Sequence, residues 1–412
     1  MKEGPIRIAV VGGGAAGMMA AAKALSLGAD VTLYEKNDRM GRKLAITGKG
    51  RCNLTNNCTS EEFLQNVPTN PRFLYSAYHH FTAQDTMAYF EELGVPLKTE
   101  RGNRVFPVSD RAFDIVDALE RQVKGHVVHR RVTGLVTENG RICGVTAGGK
   151  TVSHDAVIVC TGGLSYPRTG SDGDGFRFAE SLGLEVVPAR PSLVPMESPD
   201  GFCAAMQGLS LKNVALRVER EDGKTVYTDF GEMMFTHFGV TGPMILSASS
   251  MIPDLAPGKY RLLLDLKPAL SEKELDHRIL SDFSKNQNRD FSNALGALLP
   301  AKMIPVVVAR SGIAPTKKVN AVTKEERRAL VALLKGFSVR LSGFRSIDEA
   351  IITKGGVSVK ELNPKTMACK TIPGLFFAGE VIDVDAYTGG FNLQIAFSTA
   401  VCAAEGACSS LS

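Results

Sequence analysis

Three glycines and one acid near the start of the chain have residue types and spacing that could hold a pyrophosphate and a sugar. Gly12, Gly14 and Gly17 form G-x-G-x-x-G within VVGGGAAGMMAA, and Glu35 lies 18 residues beyond Gly17. In such a pattern the first glycine permits a tight turn, the second admits a phosphate to the backbone, and the third lets helix and strand pack closely. Unpaired N–H groups and the positive dipole end of the helix then face the phosphates. The acid accepts hydrogen bonds from both ribose hydroxyls, which disfavours a 2′-phosphate. The positioning elements can be read around these residues. Residues 8–11 are a short apolar run suited to a buried parallel strand, 15–27 an Ala- and Met-rich helix stopped at Gly28, and 30–34 a second strand. A complete βαβ unit of this kind implies dinucleotide binding.

Other stretches carry related chemistry. Residues 41–57, GRKLAITGKGRCNLTNN, read as a cationic loop with Arg42, Lys43, Lys49 and Arg51, placed to wrap a cofactor's phosphates and ring system. Residues 127–136 and 141–146 alternate as a hairpin around Asn139-Gly140, and Val132 lies where such a strand could pass over an adenine. Residues 155–160 form another buried-strand run ending in Thr161-Gly162-Gly163, which resembles the second glycine motif of FAD proteins. Residues 373–381 give an apolar strand ending in Gly379-Glu380, followed by the Gly389-Gly390 turn and a helix starting near Asn392.

Between these motifs, residues 71–93 read as one amphipathic helix stopped by Gly94, and Ser109 or Asp110 as the cap of the helix that follows 102–108. His79 and His80 sit on the first of these without a third ligand nearby, so they read as packing or surface residues. From Pro188 the pattern changes to an insertion: strands at 209–218, 225–229 and 260–266, mostly helix over 271–337, then strand again over 338–352. The expected fold class is α/β, with a Rossmann-like FAD-binding domain of the two-dinucleotide-binding type, an inserted β-barrel-like domain and a small helical domain. The boundaries are 1–189 and 353–412 for the FAD-binding domain, 190–268 and 338–352 for the β insertion, and 269–337 for the helical piece.

The chain of 412 residues, 44% hydrophobic and 22% charged, has the composition of an ordinary soluble protein. A net charge of +5 without a basic block neither requires nor excludes a nucleic-acid partner. Arg7 with the apolar run after it could be mistaken for a signal peptide, but cleavage there would destroy the nucleotide fold. No apolar run approaches membrane-spanning length, so the expectation is a cytoplasmic protein. Eight cysteines are scattered without a C-x-x-C pair. Cys52 and Cys58 are separated by five residues, where disulfide-reducing flavoenzymes have four between their redox pair; they read as reduced structural thiols.

Together the motifs resemble the BaiN/RdsA family of flavoproteins. The matching stretches are VVGGGAAGMMAA, GRKLAITGKGRCNLTN, GNRVFPVSDRA, CTGGLSYPRTGSDGDG, GEMMFTHFGVTGP, ITKGGVSVKELNPKTM and GLFFAGEVIDVDAYTGGFNLQIAFSTA. The resemblance implies FAD, a three-domain layout, and redox chemistry on a small-molecule or nucleobase substrate. It carries the FAD contacts onto Gly12, Gly14, Ala16, Gly17, Glu35, Lys36, Arg42, Lys43, Asn53, Val132, Thr161, Gly379, Glu380, Asn392, Gln394 and Ile395. Members differ in activity: one reduces a conjugated C=C of oxo-bile acids with NADH, one reduces a uridine of 23S ribosomal RNA, and one oxidises an amine. With no second G-x-G-x-x-G, NADH or NADPH would visit the flavin transiently as hydride donor. Hydride addition to an enone, or to uracil, builds charge on a carbonyl oxygen and calls for an acid at the neighbouring carbon. His237, in the Gly-rich turn FTHFGVTGP, is the first candidate, and Tyr387, beside the C-terminal Gly-Gly turn, is the second.

Overall fold

Strand β1 (Arg7–Val11) is the centre of a five-stranded parallel sheet with β2 (Asp30–Glu35), β3 (Val127–His129), β4 (Ala156–Val159) and β5 (Leu375–Phe377). The order is β5-β4-β1-β2-β3, and every ladder is parallel. This computed structural model describes residues 4–409. The strands IAVV, AVIV and LFF lack polar alternation because they lie in the buried core. From β1 the chain moves outward to β2 and β3, then returns to β4 on the other side of β1. That reversal opens a crevice at the carboxyl ends of β1 and β4, the place where open α/β sheets bind ligands.

Helix α1 (Ala15–Ser26) follows β1, α2 (Arg42–Gly50) follows β2, and α3 (Phe391–Ser409) ends the described chain. Helix α3 is apolar nearly all round and correspondingly buried. Lys23 of α1 pairs with Glu405 of α3 at 2.8 Å. No described helix is long and apolar enough to cross a membrane.

The described chain divides into two compact units: one built from residues up to Ser192 and from Ile347 onward, the other from Leu193–Ser346. Each has its own apolar core, one around Val10, Ala20, Phe377 and Phe397, the other around Leu262, Phe283 and Phe337. The second unit contains a seven-stranded antiparallel sheet whose edge strands are Phe337–Arg340 and Gly343–Phe344. Those two strands are successive in the chain: Leu341 N–H donates to Tyr260 O and Ser342 N–H to Glu197 O, so one bent segment pairs with both ends of the sheet and gives it the expected barrel-like form. Its helices Glu272–Ser284 and Lys324–Lys335 begin at capping boxes, Ser271 with Glu274 and Thr323 with Glu326.

Four expectations are corrected. The single helix over 71–93 is two, Pro71–His80 and Ala83–Glu92, because Thr82 and Asp85 form a capping box that starts a new helix. The stretch 127–136 is not one hairpin strand: Val127–His129 joins the parallel sheet, and Val132–Glu138 starts a three-stranded meander. The cationic loop contains α2, broken where Thr47, Gly48 and Lys49 leave helical geometry. Neither Ser109 nor Asp110 caps the helix Ala112–Gln122. Its N-cap is Arg111, and Asp110, left-handed at φ 56°, is held by Arg51 and Lys98.

Candidate functional site

The fingerprint turn is one only glycine can make. Gly12 has φ +105°, and a Cβ there would lie 2.6 Å from the Cys160 carbonyl oxygen at the end of β4. At Gly17 a Cβ would stand 1.7 Å from the Gly12 oxygen, so α1 packs on the turn itself. Gly14, the N-cap of α1, has nothing within 4 Å of its Cβ position and no side-chain cap. Gly379, after β5, has φ +78°, and a Cβ there would meet Ala16 Cβ at 2.8 Å. The ends of β1, β4 and β5 therefore converge on the first turn of α1, with Gly12, Gly14, Ala16, Gly17, Thr161 and Gly379 together. Thr161 Oγ1 is buried without a partner among the described residues and lies against Gly175, where a Cβ would fall 2.3 Å from it.

Two acids flank this turn with parallel bonding. Glu35 accepts from Gly13 N–H on Oε2 at 2.7 Å, and from the backbone N–H and Nδ2 of Asn37 on Oε1, both at 2.7 Å. Glu380 accepts from Lys43 Nζ on Oε2 at 2.6 Å, and from Ser165 Oγ and Thr353 N–H on Oε1, both at 2.8 Å. A carboxylate has about four acceptor sites, so each acid retains one for a sugar or ribityl hydroxyl. Burial opposes charge on Glu380, but the Lys43 ammonium and these hydrogen bonds outweigh it and hold the carboxyl below its ordinary range.

Several expected contacts turn out to be committed to the protein. Lys36 pairs with Asp172 at 2.6 Å and Asp174 at 2.9 Å, and Arg131 and Arg177 also pair with Asp174. Arg42 donates to Asn37 Oδ1 at 3.1 Å. Arg51 bonds Glu100 and Asp110 and stacks over Phe106, which removes it from the set expected to wrap phosphates. Lys49 is exposed. Val132 is buried in a strand paired with Ala147.

The C-terminal turn is threaded tightly against the segment after α2. Gly390, at φ +99°, would place a Cβ 2.3 Å from the Thr55 oxygen. Asn53, with its amide oriented to match donors to acceptors, accepts from Gly390 N–H at 3.1 Å and donates to Thr55 O at 3.2 Å. Asn392 ties the turn to itself through the N–H and carbonyl of Ala386, at 2.9 and 2.7 Å. Gln394 is fully buried: its oxygen accepts from Thr55 and Thr86, and its nitrogen donates to Phe81 O and Ser398 Oγ. Asn392 and Gln394 thus hold the turn and helix with their side chains. Ile395 is a core residue.

Tyr387 is half-buried beside this turn, its N–H donating to Asn66 O at 3.0 Å. His237 is exposed in the second unit, in the turn between Thr225–Phe235 and Gly239–Thr241, its ring edge-on to Phe238. Cys52 and Cys58 are free and buried, and burial pushes their thiols to about 12 and about 11, which keeps both protonated at neutral pH.

Sequence reasoning overlooked Ser165 and Thr353, both fully buried and both bonded to Glu380. The only signal for Thr353 was its place in ITKGGVSVKELNPKTM, a stretch to which no role was attached.

The profile of the HI0933-like protein Rossmann domain matches residues 6–406. The chain is 31% identical over 399 residues to the ribosomal RNA dihydrouridine synthase of Escherichia coli, covering 96% of each chain. It is 28% identical over 410 residues to the 3-dehydro-bile acid delta(4,6)-reductase of Clostridium scindens, covering 97% of this chain and 98% of the relative. In fold it is similar to the 3-ketosteroid delta1-dehydrogenase of Sterolibacterium denitrificans, with TM-score 0.51 at 14% identity over 98% of this chain and 99% of the other. A parallel sheet with its glycine turns at the switch point and a profile match over almost the whole length agree: the chain belongs to the HI0933-like family, the BaiN/RdsA flavoproteins that its motifs resemble.

Proposed function

We propose that this protein is an FAD-dependent oxidoreductase that takes hydride from NADH or NADPH and reduces conjugated C=C bonds, with an enone of a steroid- or bile-acid-like small molecule as substrate. The observation that carries the reading is the convergence of three strand ends and two partly satisfied acids on the uncapped start of α1. The residues present fit FAD. The space at Gly14 and the N–H groups of the first turn suit its pyrophosphate, Glu35 a ribose, and Glu380 the ribityl chain. When bound, FAD supplies two-electron redox chemistry that the side chains themselves lack.

The chain's own contribution is to bind, orient and protonate. His237 is the first candidate to hold the proton delivered beside the substrate carbonyl, and Tyr387 the second; acid catalysis of this type contributes roughly 10²–10⁴-fold. Support for C=C reduction comes from the two relatives' names, since a bile-acid delta(4,6)-reductase and a dihydrouridine synthase both yield a product with a conjugated double bond saturated.

A second reading, reduction of uridine in ribosomal RNA, is favoured by charge. Residues 269–337 contain twelve basic and seven acidic side chains, an excess equal to the +5 of the whole chain. Among them Lys285, Lys324 and Arg328 are exposed and make no ion pair among the described residues. A polyanion is the partner such a surface attracts.

The test is anaerobic flavin spectroscopy of the purified protein. Reduction by NADH or NADPH, then reoxidation by an enone and not by RNA, supports the first reading. Reoxidation only by uridine-containing ribosomal RNA replaces it with the second. Bleaching by an amine alone, with peroxide formed in air, would make the protein an amine oxidase and overturn both.

A further inference from the structure

Glu380 is held by a network whose other members lie far away in sequence. Thr353 is fully buried. Its backbone N–H donates to Glu380 Oε1 at 2.8 Å, while its hydroxyl accepts from the N–H groups of Leu164 and Ser165 at 2.7 and 3.0 Å. Ser165 then donates its own hydroxyl to the same Glu380 oxygen at 2.8 Å and accepts from Lys43 at 2.7 Å. One threonine thus fixes both donors to Oε1: its own amide directly, and Ser165 by clamping the backbone that carries it.

The surroundings keep this threonine in place. A Cβ at Gly163 would fall 2.3 Å from Thr353 Oγ1, so the glycine motif after β4 leaves the space the hydroxyl occupies. Gly355 and Gly356, at φ +93° and +135°, would place Cβ atoms 2.5 Å from Pro188 O and 2.6 Å from Val381 O. Their strand, Ile352–Val357, is therefore wedged between its partner Val186–Ser192 and the segment just after Glu380. With Oε1 saturated by Ser165 and Thr353, the remaining acceptor site is on Oε2, beside Lys43.

We propose that Thr353, acting with Ser165, is a positioning residue that presents Glu380 Oε2 to a hydroxyl of the FAD ribityl chain. This rests on the reading of the first unit as a flavin site. It assigns work to the stretch ITKGGV and explains why a half-buried carboxylate there has three protein donors. Hydrogen bonds to a charged group contribute enough that losing its orientation should weaken binding about tenfold.

The test is flavin titration of apoprotein by fluorescence quenching, with the apoprotein's thermal unfolding followed in parallel. Wild type, Thr353→Val, Thr353→Ser, Ser165→Ala, Glu380→Gln and the double variant Ser165→Ala/Glu380→Gln are compared. The expected result is FAD affinity about tenfold weaker in Thr353→Val and Ser165→Ala, restored to about wild type in Thr353→Ser, and no weaker in the double variant than in Glu380→Gln. Should Thr353→Val fail to fold, Ser165→Ala and the double variant decide. Wild-type affinity in Ser165→Ala, or losses that add in the double variant, overturn the positioning role. A wild-type protein that takes up no FAD overturns the flavin reading itself.

Discussion

The two units of this chain are specified by different physics. The first is charge-balanced, and its site is defined by backbone: Gly12, Gly17, Gly379 and Gly390 each stand where a Cβ would strike another residue. The second contains the chain's whole excess of five positive charges, all within 269–337, and presents part of it as unpaired exposed cations. The difference separates two questions: close backbone packing fixes which cofactor can be held, while surface charge bears on which substrate approaches.

That contrast can be broken by experiment. Gly17→Val should have the largest effect, because its side chain would overlap the Gly12 carbonyl; a loss of about 3 kcal/mol or more is expected, read as early thermal unfolding or insolubility. Gly14→Asp has open space, so the fold should survive. Its charge at the pyrophosphate position should cost roughly 4 kcal/mol, about 10³-fold in FAD affinity by flavin titration. His237→Asn should lower turnover about 10²-fold and leave FAD affinity unchanged, since the residue lies outside the cofactor-binding unit. Reversing Lys285, Lys324 and Arg328 to Glu should have the smallest effect. If RNA is the substrate, its binding should weaken about tenfold, with the salt slope falling by about 0.9 per lost phosphate contact; enone reduction and FAD affinity should not move.

Local chemistry was legible and distant chemistry was not. The β1–α1–β2 unit could be read because apolar runs, glycine spacing and the acid all lie within about thirty residues. The break at Phe81–Thr82 was hidden by an amphipathic pattern that continues across it, although Thr82-x-x-Asp85 is a helix-start signature. Asp110 resembled a cap, but Arg51, 59 residues away, and Lys98 claim it. Asn392 and Gln394 follow a glycine turn, as ligand contacts do; their partners, from Thr55 to Ala386, exist only in three dimensions. Thr353 shows the limit most plainly. Its partners, Ser165 and Glu380, are 188 and 27 residues away, and no spacing rule connects them.

The central claim is that both ends of the chain form one FAD site. The most direct measurement is the stoichiometry and affinity of FAD for apoprotein in wild type, Gly14→Asp and Glu380→Gln. The account predicts one FAD per chain and weaker binding when either end is altered. No uptake by the wild type, or undiminished affinity in either variant, would contradict it.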